Sequence, residues 1–213
     1  MTINSLYAPF HSYFRSKRIR ELAEALSTHD LGSVLDVGGS LHFYELIISN
    51  RMHCRSYTIV NLHLPEEALK PCVRWVVSNA LKLPYRDKAF DFVICNSVIE
   101  HMGDYESQQA LAAELRRVGK GYYVQTPNFW FPVEPHFLTC FLHWLPKRLL
   151  AKLVRWCSVW GLVMKPNRSS IDSVLKEIKL LRKGQMADLF PDAKLGVERC
   201  FGLAKSFVAI KPR

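Results

Sequence analysis

None of the six cysteines (Cys54, Cys72, Cys95, Cys140, Cys157, Cys200) stands in a C-x-x-C pair, so spacing suggests neither a zinc ribbon nor a thioredoxin-like redox motif. Several lie inside apolar runs, where cysteine acts as a small buried hydrophobe; reduced, structural thiols are the expectation. No apolar run escapes charge for the length a bilayer core demands. The most apolar region, 137–164, is broken by Lys147, Arg148, Lys152 and Arg155, which argues against a transmembrane helix. The first fifteen residues mix Asn, Ser, His and Tyr without a continuous apolar core, so no secretory leader is expected. Internal repeats and low-complexity stretches are also lacking. One further absence is local. From 135 to 171 there is no acidic residue, whereas Lys147, Arg148, Lys152, Arg155, Lys165 and Arg168 all fall there. The net charge of +10 is therefore unevenly spread, which is a signal for a partner.

What is present suits one domain. A chain of 213 residues is long enough for one well-packed core and short for two. With 49% apolar and 23% charged residues it has the profile of a soluble globule. Residues 12–27 carry Phe14, Ile19, Leu22, Ala23 and Leu26 at helical spacing and predict an amphipathic helix. Short apolar runs at Ser33–Val37, Tyr57–Val60, Val73–Val77, Ala89–Cys95 and Gly121–Thr126 read as strands, with helices over Leu41–Ser49 and Tyr105–Val118. Strands alternating with helices at this spacing imply right-handed crossovers and a mostly parallel sheet. At the end of the chain, Val197–Phe201 and Lys205–Lys211 are separated by only three residues, which permits only an antiparallel hairpin. The expected fold is a Rossmann-like, open, mostly parallel α/β sheet with helices on both faces and a C-terminal antiparallel hairpin strand. It forms a single domain over 1–213, with an N-terminal helical cap (1–30) and a helical insert or lid (129–185).

Ligands of open parallel sheets sit at the carboxyl ends of the strands, near the reversal of strand order. Here the first strand runs into Asp36-Val37-Gly38-Gly39-Ser40-Leu41-His42, a glycine turn that lets backbone approach a ligand closely before a helix start with unpaired N–H groups. Four stretches then carry a resemblance: SVLDVGG (33–39), ALKLPYRDKAFDFVICNSVIEHM (80–102), ELRRVGKGYYVQTPN (114–128) and VERCFGLAKSFVAIK (197–211). In this order and spacing the chain resembles the class I S-adenosylmethionine-dependent methyltransferases, and within them the small-molecule branch called methyltransferase type 11.

The resemblance implies S-adenosylmethionine as cofactor and S-adenosylhomocysteine as product. It implies that Asp36, Gly38, Gly39 and Ser40 shape the loop beneath the methionine moiety. Asn61, followed by Leu62, stands where the family usually has an acid on the ribose hydroxyls. Asn79, followed by Ala80 and Leu81, stands where an Asp usually reaches the adenine amino group, and Asn96 lies beside the methyl-donor pocket. Ser40 and His42 replace two of the family's usual glycines. Asparagine lacks the charge-assisted grip of a carboxylate, and each such loss weakens binding by about 1–3 kcal/mol.

Transfer of a methyl group from a sulfonium mainly requires donor and acceptor to be held in line; a base helps when the acceptor carries a proton. His101, after the fourth strand, and His136, after the fifth, are the candidate catalytic residues. Asn128, Trp130, Glu134 and His136 are candidate substrate contacts, because Pro127–His136 is a stiff, aromatic segment suited to walling a pocket. His42 is a further candidate. No metal is expected, because no ligand set with metal spacing appears along the chain. Residues 141–160 place Leu149, Leu153, Trp156 and Trp160 on one helical stripe, with Leu150, Val154 and Cys157 beside it and Arg148, Lys152 and Arg155 flanking it. Such a helix either closes as a lid or lies in a membrane interface; nucleic acid is disfavoured because no recognised binding module accompanies the charge. The expected function is methyl transfer to an oxygen or nitrogen of a small or lipid-like acceptor, in the cytoplasm or peripherally on a membrane. The alternative is a non-catalytic binding protein that keeps the fold with an altered cofactor loop.

Overall fold

The computed structural model describes residues 14, 16–24, 30–65 and 68–213. Its centre is a seven-stranded sheet in the order β3-β2-β1-β4-β5-β9-β8, with β1 Ser33–Val37, β2 Ser56–Asn61, β3 Val73–Val77, β4 Phe90–Asn96, β5 Gly119–Pro127, β8 Lys194–Cys200 and β9 Leu203–Lys211. The first five strands pair in parallel. β9 is antiparallel to both of its neighbours, so it alone is reversed. Strand order turns between β1 and β4, which places the switch point above Asp36 and Asn96.

Helices cover both faces. Helix α1 (16–24) and α2 (Leu41–Ser49) bury Ile19, Leu22, Leu41, Phe43 and Ile47 against Val34, Ile59, Phe92 and Ile94. On the opposite face α3 (Tyr105–Val118) and α7 (Lys183–Leu189) bury Leu111, Leu115, Met186 and Leu189 against Leu35, Val93, Cys95 and Val124. The strands buried on both faces are near-continuous in apolar residues for this reason. The helix expected over 12–27 is helical at 14 and 16–24; its other residues, and most of the expected 1–30 cap, lie outside the described residues.

The Leu-Pro and Phe-Asp-Phe motifs turn out to be structural. Arg117 on α3 donates to the Leu83 and Tyr85 carbonyls at 3.2 and 2.7 Å and pairs with Glu114 and Asp87, while Glu114 accepts from the Leu83 N–H. Asp91 accepts from the Ser33 N–H and hydroxyl, both at 2.9 Å, and pairs with Arg55 and Lys120. Its carboxyl is thereby held well below the usual range, chiefly by the Lys120 hydrogen bond. Both networks lock strand starts and crossovers rather than the ligand edge.

Between β5 and β8 the chain forms a short hairpin, β6 (Val133–Glu134) and β7 (Thr139–Cys140), then α4 (Lys147–Cys157), α5 (Val159–Met164) and α6 (Arg168–Glu177). Phe137, Leu150, Ala151, Val154, Ile171 and Leu175 give this region its own small core. The continuous helix implied by the 141–160 stripe is broken at Ser158, whose hydroxyl donates to the Val154 carbonyl and accepts from the Gly161 N–H. The buried face of α4 is Leu150, Ala151 and Val154. Leu149 and Trp156, placed by spacing on the apolar stripe of either a lid or a membrane-facing helix, stay exposed. Among the described residues no helix is long and apolar enough to cross a membrane.

Candidate active site

At the carboxyl end of β1, Gly38 takes a left-handed backbone, φ +68°, and donates to the Val60 carbonyl at 2.7 Å. A Cβ on Gly38 would meet Val98, and one on Gly39 would sit 1.9 Å from the Asp36 carboxylate. Glycine is therefore demanded at Gly38 by backbone conformation and by space, and at Gly39 by space. Asp36 is buried and accepts from the Tyr57 hydroxyl at 2.8 Å. Ser40 is the extended residue ahead of α2 and its side chain makes no capping bond. His42 is exposed on α2.

The neighbouring strand ends are open but partly self-engaged. Asn61 donates to the Gly39 carbonyl at 3.2 Å and accepts from the His63 N–H at 3.3 Å. Asn79 accepts from the Leu81 N–H at 2.9 Å. Leu62 is 64% exposed at the same edge, while Ala80 and Leu81 pack partly against the core. Thus Asp36, Gly38, Gly39, Ser40, Asn61 and Leu62 do lie together beside the β1 and β2 ends, with Asn79, Ala80 and Leu81 following β3.

Asn96 ends β4, one residue inside the strand, and accepts from Arg18 at 3.1 Å. That arginine is a residue sequence reasoning missed. From α1 it forms a two-bond fork onto Glu198 of β8, Nε to Oε1 and Nη2 to Oε2, each at 3.0 Å. Lys205 and the Ser206 hydroxyl also engage Glu198. Burial works against the Glu198 charge, but Arg18 outweighs it, and its pKa falls to about 2. No local signal links positions 180 residues apart in the chain.

Beyond β4 and β5 lies a cavity of about 930 Å³, lined by Arg18, Ser97, Glu100, His101, Gln125, Asn128 and His136 among others. Ser97 takes a positive φ of 56° and donates its hydroxyl to Gln125 Oε1 at 2.7 Å. That leaves Gln125 Nε2 buried without a partner, a donor available to a ligand. Glu100 is fully buried; one oxygen accepts from Thr126 at 3.0 Å and Oε1 has no partner. Burial raises its pKa, against the lowering effect of His136 and His101.

The two histidines meet here. His101, in the 3₁₀ turn Ile99–Met102, and His136, in the β6–β7 turn, bring their Nε2 atoms to 3.2 Å. His101 Nδ1 lies 3.0 Å from Glu177 and His136 Nδ1 lies 2.5 Å from Glu134. Burial lowers the His136 pKa, but the bond to Glu134 overcomes that and the net shift is upward.

Of the other expected contacts, Asn128 lines the cavity and Glu134 and Trp130 do not. Glu134 is buried behind His136, its second oxygen accepting from the Phe137 N–H at 2.7 Å; it positions the imidazole and does not line the cavity. Trp130 is exposed, 4.9 Å from Phe129 and under the Arg182 guanidinium at 5.3 Å, also away from the cavity lining. Asn128 lines the cavity, but its amide clasps the Ala204 carbonyl at 2.8 Å and the Trp130 N–H at 3.0 Å.

Residues 35–122 match the family described as a methyltransferase domain. In fold the chain is similar to the N-methyltransferase NodS from Bradyrhizobium japonicum WM9 (TM-score 0.53, 13% identity, covering 96% of this chain and 98% of that one). It is similar to magnesium protoporphyrin IX methyltransferase from Synechocystis PCC 6803, solved with bound SAH (TM-score 0.53, 12% identity, 94% and 83%). It also resembles a candidate O-methyltransferase from Nostoc punctiforme PCC 73102 (TM-score 0.54, 12% identity, 96% of this chain), of which it spans 59% of the length. At these identities the likeness is one of fold. No curated protein matches the chain in sequence.

Proposed function

We propose that the chain, whose residues 35–122 match a methyltransferase domain, transfers the methyl group of S-adenosylmethionine to an oxygen or nitrogen of a small or lipid-like acceptor held in the β4–β5 cavity. The observation that carries this reading is the juxtaposition at the switch point. The glycine turn of β1 lies on one side of β4, and the cavity with its unpartnered Gln125 Nε2 and Glu100 Oε1 lies on the other.

The β1–β3 edge fits a ligand with adenosyl and methionyl parts. Its Gly38–Gly39 backbone is approachable, its Leu62 side chain is an exposed apolar surface for a base, and Asn61 and Asn79 are polar groups at the strand ends. When bound, S-adenosylmethionine supplies a methyl group on an already activated leaving group. The chain's own contribution is then positioning: α1, the β6–β7 turn and α6 close around the acceptor and keep water out. His136, held by Glu134, is the group placed to take a proton from a hydroxyl or ammonium acceptor.

A lipid-like acceptor is supported by the face of α4 and α5. Leu149, Trp156, Leu162, Val163 and Met164 are exposed beside Lys147, Arg148, Lys152 and Lys165, which are also exposed. Exposed apolar residues interleaved with cations and free of acids suit an anionic lipid interface. The competing non-catalytic reading is supported by Asn61 and Asn79, whose side chains are engaged with backbone groups. Calorimetric titration with S-adenosylmethionine separates the two: saturable binding is expected, and none at millimolar ligand overturns the enzyme reading. Co-sedimentation with anionic liposomes at low salt tests the lipid surface, and a protein that stays in the supernatant removes it.

A further inference from the structure

We propose that Glu100, His101 and His136 form a site for a divalent transition metal, Zn²⁺ or Fe²⁺, at the wall of the acceptor cavity, with both imidazole Nε2 atoms and Glu100 Oε1 as ligands. One ligand atom from each of the three residues falls within a sphere of mutual separations no larger than 4.8 Å. The Nε2–Nε2 distance is 3.2 Å. Two nitrogens bound at about 2.1 Å lie roughly 3.0 Å apart in octahedral and 3.4 Å apart in tetrahedral coordination, so the imidazoles already have the required spacing. Glu100 needs only a small approach.

The hydrogen bonding supports the same assignment. Each imidazole has its Nδ1 against a carboxylate, His101 on Glu177 and His136 on Glu134, which favours the Nδ1–H tautomer of the neutral ring. In that form both Nε2 lone pairs are available to a cation seated beside the pair, in place of the Nε2–Nε2 hydrogen bond of the metal-free chain. Carboxylates behind metal-bound histidines are the usual outer layer, fixing tautomer and ring orientation. Glu100 Oε1 is a buried acceptor with no partner, aimed into the same cluster, and its other oxygen is tethered by Thr126.

Two imidazoles and one carboxylate are a recognised set for Fe²⁺ and Zn²⁺. All three residues also line the cavity, so the remaining coordination positions open towards the acceptor. The ligand that fits there is an oxygen donor, water or an acceptor hydroxyl; with His136 Nε2 on the metal it is the cation that loosens that proton, and the imidazole acts as base only in the metal-free chain. Chain order hides the set: Glu100 and His101 are adjacent after β4, while His136 arrives from a different loop.

The test uses the full chain after treatment with a chelator, titrated with Zn²⁺ by calorimetry and with Co²⁺ by visible absorption. Saturation at one equivalent is expected, with a Co²⁺ spectrum free of thiolate charge-transfer bands. His101→Ala and His136→Ala should each weaken binding at least tenfold, and Glu134→Gln about 10–100-fold. His136→Asn serves should the alanine variant fail to fold, with circular dichroism as the check. The proposal is overturned by any of three results: no saturable equivalent, a thiolate spectrum, or unchanged affinity in both histidine variants. S-adenosylmethionine titration of the same samples is independent of the metal, so failure of this proposal and failure of the methyltransferase reading are distinguishable.

Discussion

The two sides of the switch point are built differently. On the β1–β3 side the backbone does the work: Gly38 is required by conformation and space and Gly39 by space, and the polar side chains there are short and largely engaged with backbone. On the β4–β5 side the side chains do it. Glu100, His101, Gln125 and His136 converge on one cavity, two of them with a buried polar atom lacking a partner. On the proposed reading, the backbone-built edge takes the cofactor and the side-chain-built cavity selects the acceptor.

If that division is right, variants on the two sides should separate binding from turnover. The largest effect is expected for His136→Ala, which should lower kcat/KM about 10²–10⁴-fold while leaving S-adenosylmethionine affinity unchanged. Product release assayed alongside calorimetry checks both halves, and a parallel loss of cofactor binding would break the comparison. Arg18→Met comes next. It leaves the Glu198 charge buried and unpaired by its main partner, and should destabilise the protein by about 3–5 kcal/mol in urea unfolding.

The same pair sets a pH dependence. The folded pKa of Glu198 is depressed to about 2, so its contribution is complete above the unfolded value near 4.5. It is lost as pH falls from there through about 2, roughly 3 kcal/mol in all. Glu198→Gln should flatten that limb of the stability profile. Unchanged acid sensitivity would show that the fork from Arg18 does not hold α1 to β8.

On the other side, Gly39→Ala forces the loop away from Asp36 and should cost about 1–3 kcal/mol of stability, with cofactor affinity falling at least tenfold and acceptor-side metal binding intact. The smallest effect is expected for Lys152→Glu on the exposed face of α4, about 1 kcal/mol in liposome partitioning per cation lost. It should be visible at low salt and gone at high salt.

Much of the sheet was legible locally. Ser33–Val37, Val73–Val77, Leu41–Ser49 and Tyr105–Val118 are found where period and punctuation place them, because apolar periodicity is a short-range property. The hairpin of β8 and β9 followed from a three-residue connection. The insert was harder. A helical stripe through 141–160 ignores the break that Ser158 introduces by bonding locally to backbone, and which face of α4 is buried, Leu150, Ala151 and Val154 with Leu149 and Trp156 left exposed, was not settled by a stripe that suits a lid and a membrane interface alike. Glu134 and Trp130 were nominated as substrate contacts from a rigid aromatic segment, yet rigidity says nothing of which way a side chain turns. One supports His136 from behind and the other meets Arg182 at the surface.

By itself the sequence determined the class of fold and the glycine turn after β1, since strand period, crossover length and positive-φ glycines are properties of neighbouring residues. Only the tertiary structure decided what surrounds the β4–β5 cavity. Arg18 reaches Glu198, and His101 reaches His136, across loops whose closure no local pattern records. Their meeting depends on which sheet edge each loop returns to, and that is set by the packing of the whole domain.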